Sequence, residues 1–116
     1  MAARPHRACS EADIHRAVID HWRAFGLPDT LVCTLANMGA MGQAGLTPGL
    51  PDLFVLGGSI GCGTIELKAE GGRVSPAQAA MQSRFSRNGV PYVVTFGRDE
   101  PIAQLERWGI VRTRAR

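Results

Sequence analysis

Apolar side chains recur at helical intervals near the start of the chain, where Ile14, Ala17, Val18, Trp22 and Phe25 form one stripe. Ser10 precedes the stripe as an N-cap, and Asp13 at the third helical position completes an acidic capping box. Gly26 and Pro28 end the helix. From Thr30 the pattern changes. Thr30–Ala36 is rich in β-branched and apolar residues and reads as a strand, and Asp52–Leu56 and Cys62–Lys68 read as two more. The short 57–61 turn between the last two predicts antiparallel pairing. Ser75, Pro76 and Gln78 open a second helix with another capping box. Gln78, Met81 and Phe85 share one of its faces, and Gly89 closes it. Pro91–Phe96 is an apolar fourth strand. A last short helix opens at Asp99 or Pro101 and runs to about Trp108, and Ile110–Val111 predicts a short edge strand.

This order predicts an α/β fold, one mixed sheet flanked by helices around an α-β-β-β-α-β core. A single domain is expected over residues 10–111, between a flexible N-terminus at 1–9 and a basic tail at 112–116. Residues 37–50, with Gly39, Gly42, Gly45, Gly49 and Pro48, read as a long loop of the kind that borders functional sites. It is not a phosphate-binding loop, because no Gly-Lys-Ser/Thr follows.

Composition narrows the function. No apolar run approaches a membrane span, and the segment from Met1 to Arg7 has none behind it, so neither a span nor a signal peptide is expected. The expected location is cytoplasmic, the host cytoplasm if the chain is phage-encoded. Cys9, Cys33 and Cys62 are odd in number and form no Cys-x-x-Cys pair, which removes support for zinc or redox chemistry. His6, His15 and His21 make no His-Glu-x-x-His pattern and read as surface or flank residues. Trp22, Trp108 and Tyr92 read as structural.

Charge is distributed unevenly. The formal net charge is +3, and of 13 Lys plus Arg residues only Lys68 is lysine. Between Arg23 and Arg73 it is also the only basic residue, while arginines cluster toward both ends. Such a layout fits a cation-holding centre with a phosphate-holding rim, and equally an arginine-rich solvated surface.

The candidate chemistry sits in that centre. Glu66 and Lys68 are two apart on a strand and so share a face, with Ile65 and Leu67 on the other. If the second and third strands pair, Asp52 comes near them. Asp52, Glu66 and the Leu67 backbone carbonyl are oxygen ligands suited to Mg²⁺ or Mn²⁺. Lys68 could orient a water, help deprotonate it or offset phosphoryl charge. Glu11, on the packed stripe of the first helix, is the candidate third carboxylate. Its other reading is a favourable acid in a first turn. Gln78 either serves only its capping box or also reaches the site.

Taken in order, Glu11, Gly49-Leu50-Pro51-Asp52, Glu66-Leu67-Lys68 and Ser75-Pro76-x-Gln78 resemble the pattern of the VRR-Nuc family within the PD-(D/E)xK nuclease superfamily, including its small stand-alone bacteriophage members. The resemblance covers about residues 10–98. It implies a restriction-endonuclease-like fold of the Holliday-junction-resolvase type, and a Mg²⁺- or Mn²⁺-dependent DNA endonuclease. It also implies a homodimer acting on duplex or branched DNA, with no organic cofactor. Lys68, Glu66, Asp52, Gln78 and Glu11 would be catalytic. Arg73, Arg84, Arg87, Arg112, Arg114 and Arg116 are candidate phosphate contacts. The glycine-rich loop departs from the family in lacking basic residues. Two other readings stay open: a non-catalytic basic DNA-binding module, and a small structural subunit of a larger assembly.

Overall fold

In the computed structural model, residues 9–35 and 47–115 are described. Most of the predicted 37–50 loop, nearly all of the N-terminal segment, and Arg116 lie outside them. Seven elements follow in order: α1 (Glu11–Phe25), β1 (Leu31–Thr34), β2 (Leu53–Gly57), β3 (Gly61–Lys68), α2 (Pro76–Arg87), β4 (Tyr92–Phe96) and α3 (Asp99–Arg107). Both capping boxes expected from sequence are present, Ser10 with Asp13 and Ser75 with Gln78.

The four strands form one sheet in the order β1-β2-β3-β4. β1–β2 and β2–β3 are antiparallel, the latter with Leu53 opposite Ile65 and Gly57 opposite Gly61. β3–β4 is parallel, with Ile65 opposite Val93, so α2 serves as the crossover that parallel neighbours need. The sheet is therefore mixed, as the sequence predicts.

Alternation along the strands divides the two faces. Leu53, Val55, Ile65 and Leu67 point into the main core, where Ile14 and Val18 of α1 and Ile102 and Leu105 of α3 meet them. On the opposite face α2 packs against β4, and the Phe85 ring meets Tyr92 edge-on with centroids 5.4 Å apart. Residues 63–67 of β3 are consequently buried on both sides, Glu66 among them. Trp108 lies in the core and Trp22 packs against it, donating its indole N–H to Thr30 Oγ1 at 3.0 Å. Both tryptophans are structural.

One element differs from expectation. Ile110 and Val111 form no strand of the sheet. Both are fully buried in the core, and Val111 makes only an isolated bridge to Gly26. Their apolar character reflects burial between α1 and α3, which a short apolar run cannot distinguish from a strand. Among the described residues no helix is long and apolar enough to cross a membrane.

Candidate active site

The site begins with the way Asp52 is delivered to β3. Gly49 adopts φ +87°, and a Cβ there would collide with the backbone carbonyl of Ala77 in the first turn of α2. The chain thus passes tightly against the start of that helix. Tyr92 holds it there, its hydroxyl donating to the Gly49 carbonyl at 2.8 Å. Pro51 is buried, and Asp52 stands just before β2, its carbonyl accepting the Leu35 N–H at 2.8 Å. Its carboxylate Oδ2 accepts the Leu67 N–H at 2.8 Å. Asp52 is therefore tied by main chain and side chain to the strands on either side of it.

Glu66 is 4 % exposed. Its Oε2 accepts the side-chain amide of Gln78 at 3.0 Å and lies 3.7 Å from Lys68 Nζ. The expected shared face of Glu66 and Lys68 is present, and α2 covers it. Burial is the largest influence on the Glu66 carboxyl. The charge of Asp52 and a hydrogen bond with it add to this, and the Lys68 ammonium opposes them. Together they push Glu66 up to about 8. The Tyr92 phenol is also held above its ordinary value, first by burial and then by the charges of Glu66 and Asp52.

Glu11 is placed differently. Its first-turn side chain is exposed, and with Ala12, His15, Arg16, Asp52 and Leu67 it lines a cleft of about 440 Å³. Its charge still reaches Glu66, where it is one of the influences raising the carboxyl. Among the described residues no three His, Cys, Asp or Glu side chains close on one point. The preassembled part of the site is the Asp52–Glu66 pair, with Lys68 and Gln78 bound to it and Glu11 across the cleft.

The donor set suits a hard divalent cation. Two neighbouring carboxyl groups are held where burial and mutual repulsion keep a proton on one of them, and a dication can replace that proton. The Leu67 carbonyl lies between Glu66 and Lys68 in sequence and adds a neutral oxygen.

Among the described residues, none of the candidate phosphate-contact arginines hydrogen-bonds or ion-pairs with Asp52 or Glu66. Arg73 is exposed between β3 and α2, Arg84 and Arg87 are exposed in the last turn of α2, and Arg112 is exposed beyond α3. Arg114 is engaged within the chain. Its backbone N–H and Nε donate to Glu106 Oε2 at 2.6 and 3.1 Å, its Nη2 to Glu106 Oε1 at 3.2 Å, and Nη1 lies 3.7 Å from Asp99 Oδ1. Two cleft residues escape the sequence reading, His15 and Arg16. Their signal was available: Glu11 and His15 are one helical turn apart, as are Ala12 and Arg16.

The chain is similar in structure to a solved protein described as "VRR_NUC domain protein". The TM-score is 0.74 and the identity 19 %, and the match covers 88 % of this chain and 89 % of that one. No family model matches the sequence, and no curated protein matches it. The likeness bears out, at the level of fold, the resemblance seen in Glu11, Gly49–Asp52, Glu66–Lys68 and Ser75–Gln78.

Proposed function

We propose that the chain is a Mg²⁺- or Mn²⁺-dependent endonuclease that hydrolyses phosphodiester bonds in DNA, selective for branched or junction DNA and acting as a homodimer. The observation that carries the reading is the pairing of half-buried Asp52 with buried Glu66, with Lys68 3.7 Å from a Glu66 oxygen. A lysine and two carboxyls gathered at the end of a strand, beside an open cleft, suit phosphate chemistry better than structural duty. Asp52, Glu66, the Leu67 carbonyl and Glu11 would hold the ion. When bound, it supplies a Lewis acid to phosphoryl oxygens and lowers the pKa of water.

The protein groups have separate tasks. Gln78 holds the Glu66 carboxylate in one orientation. The Leu67 N–H does the same for Asp52. Glu66 would give up its proton to act as a ligand to the ion. The Lys68 ammonium donates hydrogen bonds that orient the attacking water and offset charge on the phosphoryl oxygens. Attack forms a water oxygen–phosphorus bond, the water's proton passing to solvent, and breaks the phosphorus–oxygen bond to the leaving strand, whose oxygen takes up a proton from solvent. Arg73, Arg84, Arg87 and Arg112 are exposed cations available to hold flanking phosphates. The homodimer rests on size, because one small domain offers few duplex contacts and a two-fold pair presents two sites to two strands.

The test is incubation with Mg²⁺ or Mn²⁺ on duplex, flap and four-way-junction DNAs, beside Lys68→Ala and Asp52→Asn, with molar mass measured by light scattering. Metal-dependent cutting by the wild type and its loss in both variants are expected. Salt-sensitive binding without cutting would favour the non-catalytic DNA-binding module. Equal cutting by Lys68→Ala would remove the site assignment.

A further inference from the structure

We propose that His15 and Arg16 form a phosphate subsite in the cleft beside the Asp52–Glu66 pair, seating the phosphodiester next to the one that is cleaved. The inference rests on the nuclease reading and deepens it. The cleft of about 440 Å³ is open between α1 and the β2–β3 end of the sheet, and its size falls in the range that takes one small ligand unit. Ala12 and Leu67 give it apolar wall, which suits a sugar face. Glu11 and Asp52 bring negative charge, which by itself would repel a polyanionic strand.

Arg16 answers that repulsion. It is exposed on α1, lines the cleft, and among the described residues makes no ion pair or hydrogen bond. Arg114, by contrast, is committed to Glu106 and Asp99. An arginine with an uncommitted fork suits bidentate contact with phosphate oxygens. His15 is anchored from the other side, its Nε2 lying 2.7 Å from Thr34 Oγ1, which ties the ring to β1. In the tautomer in which the Thr34 hydroxyl donates to Nε2, Nδ1 carries the hydrogen and can donate to an anionic oxygen. Asp52, His15 and Arg16 line one cleft, so a strand whose scissile phosphate meets the Asp52 end would place its neighbouring phosphate at His15 and Arg16.

Binding and catalysis separate the inference from the reading beneath it. Fluorescence anisotropy with labelled branched DNA in EDTA, over a salt series, reads binding alone. Steady-state cleavage with Mg²⁺ reads KM and kcat. Arg16→Ala should lower the slope of log K against log salt by about 1 and weaken binding about tenfold at moderate salt. It should raise KM more than it lowers kcat. Arg16→Lys should recover the slope but only part of the KM. Arg23→Ala, which removes an exposed charge at the far end of α1, should change neither, and His15→Ala should raise KM at an unchanged salt slope. Arg16→Ala indistinguishable from Arg23→Ala, in a wild-type background that cuts DNA, overturns the subsite and leaves the nuclease standing. A wild type that binds without cutting removes the nuclease and, with it, a subsite defined by the cleaved bond. A wild type that does neither overturns both.

Discussion

Gln78 donates its side-chain amide to Glu66 Oε2 at 3.0 Å, while its own carbonyl oxygen accepts the Ser75 N–H at 2.9 Å. One side chain therefore closes the N-terminus of α2 and orients a candidate metal ligand, and two substitutions take these tasks apart. Gln78→Ala removes both, and should lower stability by about 1 kcal/mol and cleavage at least about tenfold. Gln78→Glu keeps an acceptor for the Ser75 N–H but replaces the donor to Glu66 with a negative charge. It should melt near the wild type at pH 5 and still lose cleavage. Thermal unfolding read beside single-turnover cleavage decides. Cleavage lost only in proportion to melting would leave Gln78 a cap and nothing more.

Tyr92 and Gly49 fix the Asp52 side of the site, because the Tyr92 hydroxyl and the tight approach to Ala77 deliver Asp52. Tyr92→Phe leaves the Gly49 carbonyl without its donor and should cost about 1–2 kcal/mol. Gly49→Ala meets both the left-handed backbone penalty and the Ala77 carbonyl, and should cost more, since the φ penalty alone is about 1–2 kcal/mol. Each should lower kcat more than KM, because the effect reaches the reaction through the position of Asp52. Denaturant melts and steady-state kinetics on the same preparations check both. A change in KM alone would place Tyr92 in substrate binding instead.

Local rules made much of this legible in the sequence. The Ser75–Gln78 box, the Gly57–Gly61 hairpin and the two-residue spacing of Glu66 and Lys68 each depend on near neighbours, and each appears as expected. What sequence missed depends on distant packing. Tyr92 reads as a structural aromatic, but only the pairing of β3 with β4 and the passage of residue 49 over α2 bring its hydroxyl to the Asp52 segment. Ile110–Val111 looks like a strand because burial and strand pairing select the same side chains. Arg114 looks like a free basic tail residue until the fold places Glu106 beneath it.

Glu66 predicts how stability varies with pH. Its carboxyl is raised from 4.5 to about 8 by burial and by Asp52. Between those values the folded protein retains a proton that the unfolded chain has lost, so stability falls as pH rises. The contribution is full below 4.5 and is lost by the time the pH has passed about 8. Metal-free protein should therefore melt at a lower temperature at pH 8 than at pH 5, and Glu66→Gln should flatten that dependence. Added Mg²⁺ should restore the wild type at pH 8, with proton release visible as buffer-dependent heat in calorimetry. An identical pH dependence in Glu66→Gln would show that the proton resides elsewhere.

Arg114 separates a structural arginine from a phosphate contact. The Glu106 side chain is 4 % exposed and accepts three hydrogen bonds from Arg114, one from its backbone and two from its guanidinium. Arg114→Ala removes the two guanidinium bonds from a nearly buried carboxylate and should lower stability by about 1–3 kcal/mol. Because this guanidinium already has carboxylate partners, releasing it to a phosphate would forfeit what it holds, so the slope of log K for DNA against log salt should stay at the wild-type value. Arg84→Ala and Arg87→Ala should behave oppositely. Their side chains are exposed in the last turn of α2, so stability should change by no more than about 0.5 kcal/mol. If α2 faces the duplex, the slope should fall by about 1 for each. Melting curves and salt-dependent anisotropy on the three variants test the division. A lower salt slope for Arg114→Ala at unchanged stability would return the tail to the DNA-binding surface.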